Sequence, residues 1–140
     1  MPQMTEWQQC ATLLAHHNTT PETTVDDTFR VIEVFDTVSG VLNIIPSIED
    51  GTITIPKPGT YSISVQMVYE GNKKNFEMYV FKDGVQTQLG SEDKGGGDIG
   101  FNINVHFPEE NTVIDIRQRS TNGGNSLVID NAAISVRRLA

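Results

Sequence analysis

The chain has 140 residues, with ten Lys and Arg against eighteen Asp and Glu for a formal net charge of −8, and 37% of it is hydrophobic. That length supports one domain with its own core. The acidic balance argues against general binding to phosphate backbones, no apolar run approaches the roughly 20 residues that span a bilayer, and the single cysteine, Cys10, rules out an internal disulfide and fits synthesis in a reducing compartment.

The N-terminus, MPQMTEWQQ, has neither the basic start nor the apolar core of a secretory signal, so export is not expected. From Thr5 to His17 the spacing predicts the chain's one helix. Thr5 and Gln8 form a capping-box pattern, and Trp7, Cys10, Ala11, Leu13 and Leu14 fall on one helical stripe. A helix this short is marginal alone and must dock, so Trp7, Leu13 and Leu14 are the expected anchor on a partner. Asn18 to Asp27, NTTPETTVDD, is polar and without period. Residues 1–27 thus read as a helix and anchoring arm, and residues 28–140 as a β-sandwich.

Thr28–Val38 and Gly40–Pro46 are rich in β-branched and aromatic residues and end in turn formers. Between Gly51 and Gly84 the alternation becomes strict: Tyr61, Ile63, Val65, Met67 and Tyr69 share one strand face, and Thr60, Ser62, Ser64 and Gln66 the other. The next strand puts Phe76, Met78 and Val80 on its inner side. Tyr79 and Phe81 then fall on its outer side, where they either cover the sandwich or meet another subunit. Asp83-Gly84 predicts a tight turn, Val85–Leu89 a short strand, and SEDKGGGD a loop that lacks the Lys-Ser or Lys-Thr of a phosphate cradle. Ile99 to Phe107 alternates again. Thr112–Arg119 is another strand, followed by a turn at TNGG. In the final strand Leu127 and Ile129 hold odd positions but Ala132, Ile134 and Val136 even ones, which a β-bulge or a break between Asp130 and Ala133 explains.

Ile53-Thr54-Ile55-Pro56, then Pro58-Gly59-Thr60-Tyr61-Ser62-Ile63, then Phe81-Lys82-Asp83-Gly84-Val85 make up a pattern that resembles the C1q and tumour-necrosis-factor-like jelly-roll family. Asp83 stands where that family often has Asn, and Phe107-Pro108-Glu109-Glu110-Asn111-Thr112-Val113 resembles its turn into the penultimate strand. ISVRRL replaces the family's closing aromatic-Gly-hydrophobic signature. The resemblance covers about Phe29 to Val136 and implies an all-β, antiparallel jelly-roll sandwich that assembles as a homotrimer, with Tyr79 and Phe81 contributing to the threefold interface. Similar modules occur in secreted animal ligands, bacterial surface proteins and virion proteins of tailed bacteriophages.

No catalytic constellation accompanies this architecture. His16, His17 and His106 have no zinc-site spacing, the acidic pairs Asp26-Asp27 and Glu49-Asp50 and the group Glu92-Asp93-Asp98 form no calcium loop, and no Gly-x-Ser-x-Gly elbow exists. No catalytic, metal or cofactor-binding residue is therefore assigned, and the chain is not read as an enzyme. The expectation is a structural virion protein: a homotrimeric capsid decoration or cement protein of a tailed bacteriophage, assembled in host cytoplasm and attached through its N-terminal arm. Its expected partners are itself and a major capsid or other virion protein, with no direct contact to nucleic acid or membrane. The alternatives are a receptor- or glycan-binding knob of a phage fibre and a soluble C1q-like binding module.

Overall fold

The computed structural model describes residues 9–15, 22–24, 28–32, 35–70, 74–93, 98–122 and 126–139. Among them are twelve strands and no helix: β1 (Cys10–Ala15), β2 (Glu22–Thr24), β3 (Arg30–Val31), β4 (Thr37–Leu42), β5 (Ile45–Ser47) and β6 (Thr52–Ile55) in the first part. The second part carries the longer strands β7 (Gly59–Glu70), β8 (Lys74–Lys82), β9 (Val85–Asp93), β10 (Asp98–Phe107), β11 (Thr112–Asn122) and β12 (Ser126–Arg138). One sheet runs β10-β7-β12-β1-β4 with β2 also on β12; the other runs β5-β6-β11-β8-β9 with β3 also on β11. Every pairing is antiparallel.

The alternation read in the sequence is what closes the core. Tyr61, Ile63, Val65, Met67 and Tyr69 of β7 are all buried, and they face Phe76, Met78 and Val80 of β8 and Ile114 and Ile116 of β11 in one cluster. Tyr69 stacks on Phe76 with ring centroids 4.9 Å apart. In β12 the register shifts between Ile129 and Asn131. Of the bulge and the break that the parity change allows, this is a bulge, at the N-terminal edge of the expected span, and it keeps Ile129, Ala132, Ile134 and Val136 all inside.

The N-terminal segment is a correction. Cys10–Ala15, inside the stretch expected to be helical, is strand β1, and the remainder of Thr5–His17 apart from Gln9 lies outside the described residues. The reason is tertiary. β12 and β4 offer ladders on both sides, pairing Leu13 with Ile134 and with Val38, whereas a helix of three turns would need a docking face of its own. Ala11 and Leu13 satisfy a period of two as readily as one of 3.6, and both are buried in the core. With β2 also paired to β12, two strands of the sheet come from the stretch read as an arm. The predicted loop after Leu89 also begins later, since β9 continues to Asp93.

Tight turns hold the sheets at one end. Asp83 and Gly84 both have positive φ, 49° and 82°, as a two-residue hairpin turn requires. The Asp83 N–H donates to the Val113 carbonyl at 2.8 Å, and its carboxylate accepts from the Val113 N–H at 2.9 Å, so Asp83 engages both backbone groups of Val113. Asn111, at φ 56°, donates from its N–H to the Pro56 carbonyl at 3.1 Å. The stretches that carry the family resemblance are thereby bonded to one another. At the start of β6, Gly51 has φ +70°, and a Cβ there would lie 2.6 Å from the Ile32 carbonyl oxygen. Gly51→Ala should lose about 1–2 kcal/mol for the left-handed conformation alone and more for the displaced β3 strand, measurable as a lower midpoint in urea unfolding.

Candidate partner-binding surfaces

Strand register places ten strand ends together. Cys10 pairs with Leu42 and Arg137, Tyr61 with Arg138 and Phe107 with Gly59, which gathers the starts of β1 and β7 with the ends of β4, β10 and β12. Pro56–Pro58 crosses between the sheets there. Ile55 with Thr112, Ile114 with Lys82, Lys82 with Val85 and Ile45 with Thr54 bring in β6, β11, β8, β9 and β5. The large hydrophobic side chains exposed among the described residues are Val41, Ile45, Val85 and Leu139, and all four sit at this end. A core-facing role does not account for them.

A polar network underlies that end. Gln9 is 3% exposed, its Nε2 donates to the Asn43 carbonyl at 2.9 Å, and its Oε1 accepts from the Tyr61 hydroxyl. The single Tyr61 proton is shared with the Lys57 carbonyl, 2.7 Å away. Arg138 donates from its side chain to the Pro58 carbonyl at 2.8 Å and from its backbone to the Gln9 carbonyl at 2.8 Å. Beside the network lies a pocket of about 380 Å³ lined by Gln9, Asn43, Ile44, Ile45, Pro56 and Lys57.

Burial pushes the Tyr61 phenol above its ordinary value, against a smaller opposing pull from Arg138. A raised folded-state value means that Tyr61's contribution is complete below the unfolded phenol value of about 10 and is lost as pH rises through the folded one. Stability should therefore fall in alkali beyond pH ~10. Tyr61→Phe should flatten that limb while lowering the neutral-pH stability by about 1–3 kcal/mol, because Gln9 Oε1 is left buried without its donor; denaturant midpoints across pH measure both.

The outer face of β8 and β11 is layered rather than open. Phe29 meets the Tyr79 ring at 6.0 Å and the Phe81 ring at 5.3 Å, both edge-on. The Arg119 guanidinium lies 4.3 Å from the Phe29 centroid and that of Arg117 4.4 Å from Phe81. Arg117 is held by Asp115 at 2.8 Å, and Arg119 is paired with Glu77. Phe81 is left 6% exposed. Phe81 is thus covered from within its own chain, while Tyr79 stays half-buried. Sequence reasoning missed Phe29, which no local pattern links to a strand fifty residues away.

The outer face of the other sheet differs in kind. Register aligns Asn102, Ser64, Ser135, Thr12 and Ser39 in one row across all five strands. The flanking rows are Gly100, Gln66, Ala133, Leu14 and Thr37 on one side and Asn104, Ser62, Arg137, Cys10 and Leu42 on the other. Arg137 is the one charged residue in the three rows. In a chain whose residues are 20% charged, so neutral a face is notable in its composition.

Of the expected anchor residues, Leu13 is fully buried in this chain's own core, Leu14 takes the β1 position in a flanking row, and Trp7 lies outside the described residues. His106 is exposed, 3.3 Å from the Thr60 hydroxyl, and His16 and His17 lie outside the described residues. Among the described residues no three His, Cys, Asp or Glu side chains are grouped to hold a metal ion, and no helix is long and apolar enough to cross a membrane.

No protein-family model matches the chain, and no curated protein does. Solved structures do. Eiger TNF from S. frugiperda superposes with a TM-score of 0.67 at 11% identity, covering 95% of this chain and 93% of that one. The fold is a C1q/tumour-necrosis-factor-like jelly roll. The globular domain of zebrafish complement 1qA gives a TM-score of 0.61 at 12% identity over 94% of this chain and 98% of its own. The vertex protein P5 of PRD1 gives 0.63 at 9% identity over 94% and 97%.

Proposed function

We propose that this chain is a structural virion protein: a homotrimeric jelly roll that decorates or cements a bacteriophage capsid, mounted by the end of the sandwich at which its N-terminal residues enter. The observation that carries the mounting is that the exposed large hydrophobic residues Val41, Ile45, Val85 and Leu139 all lie at that end, with Ile45 beside Gln9. Exposed apolar side chains at one end of a sandwich suit that end to contact. The likeness to the PRD1 vertex protein supports a place in a particle, and the likeness of TNF and C1q structures supports the self-associating shape that the sequence resemblance implies.

The self-contact is assigned to the row Asn102–Ser64–Ser135–Thr12 rather than to the outer face of Tyr79 and Phe81, where Phe29 already packs on both rings. The three rows of this face carry one charged residue, so closing them against a second copy would desolvate little charge. Ser64 is exposed at its middle. Light scattering of the wild type should give three times the 15.4 kDa chain mass. Ser64→Arg, which would bury an unpaired charge in the contact, should give the single-chain mass with unchanged circular dichroism.

The mount is tested by removing residues 2–8, which spares β1. The truncated chain should remain folded and trimeric but should no longer co-sediment with particles from its native source. Wild-type occupancy of the particle by the truncated chain would overturn the N-terminal mount.

A further inference from the structure

We infer that the pocket lined by Ile44, Ile45 and Pro56 receives an apolar side chain of the particle's shell protein, and that a carboxylate flanking that side chain pairs with Lys57. This rests on the proposed mount and gives the partner at that end its chemistry.

Bonds within the chain hold the pocket open. Gln9 is buried with both ends of its amide engaged, Nε2 on the Asn43 carbonyl and Oε1 by the Tyr61 hydroxyl, so it forms a fixed wall. The Tyr61 hydroxyl also reaches the Lys57 carbonyl at 2.7 Å, Arg138 donates to the Pro58 carbonyl at 2.8 Å, and the Asn111 N–H donates to the Pro56 carbonyl at 3.1 Å. The consecutive residues Pro56, Lys57 and Pro58 are thereby fixed through all three carbonyls. Ile44 belongs to the core, whereas Ile45 is left 60% exposed. The space these residues line, about 380 Å³, is of the order that takes a side chain, and a preformed site loses little freedom when it is filled.

Charge selects the partner. The chain has a net charge of −8, yet the one charged residue lining the pocket is Lys57, which is exposed. Arg138 stands next to it at the Pro58 carbonyl, with its Nε buried and without an acceptor among the described residues. Neither cation is in an ion pair among the described residues. Glu109 and Glu110, in the neighbouring turn, do not line the pocket. A positive spot on an acidic chain attracts a carboxylate and repels a basic segment. An apolar residue beside Asp or Glu meets both the walls and the cation, whereas a purely apolar segment would cover Lys57 without pairing it. The self-contact is assigned to the outer sheet face, which leaves this end to another protein.

Co-sedimentation with particles of the native source assembled without this chain tests the seat. The wild type should bind, and binding should weaken several-fold as salt rises from about 0.05 M to about 0.5 M. Ile45→Ser, and at low salt Lys57→Glu, should each weaken binding on the order of tenfold. Lys57→Met should bind more weakly at low salt with a shallower salt dependence, while Ile45→Val and Lys57→Arg should bind as the wild type does. Both positions are exposed, so circular dichroism and the mass by light scattering should stay unchanged in every variant. Undiminished binding by either Ile45→Ser or Lys57→Glu would overturn the seat and leave the mount standing. Failure of the wild type itself to bind the particles would overturn the virion reading.

Discussion

The ladder between β7 and β12 is the interaction on which the remaining structure depends. β7 supplies five inward residues in strict alternation, Tyr61 to Tyr69, and β12 answers them with Ile129, Ala132, Ile134 and Val136. Without the bulge between Ile129 and Asn131, one half of β12 would turn its apolar residues to the outer face. Both strands then have a free side. β10 closes one and β1 the other, and the second sheet can pack only on the inner face so defined.

That constraint explains why the N-terminal segment belongs to the sandwich. β12 without β1 would expose a long ladder edge, with Ile134 and Val136 beneath it. β1 satisfies that edge, buries Ala11 and Leu13, and brings β4 in on its far side. The consequence for function is geometric: the described chain enters the sandwich at Gln9, at the end where strand termini, turns and exposed apolar residues converge.

Much of this was legible in the sequence. Alternation in β7, β8 and β10, the Asp83-Gly84 turn and the bulge in β12 are local patterns, and each is where its residues place it. β1 was not legible, because six residues carrying Ala11 and Leu13 fit either period and the nearby Thr5 and Gln8 favour a cap. Nor were the surfaces. The neutral row takes one residue from each of five strands, the Phe29 layer joins residues from β8 and β11 with a segment preceding β3, and the apolar end needs the full topology. Gln9 and Gln118, both buried, give no sign of burial in a sequence where glutamine ordinarily lies outside.

The fold requires β1 to be an interior strand rather than a detachable helix, and residue-resolved hydrogen exchange of the native protein tests this most directly. Amides of Cys10–Ala15 bonded to β12 and β4 should exchange as slowly as those of β12 itself, through the same global unfolding. Exchange of those amides at open-chain rates, while β7 and β12 remain protected, would contradict it.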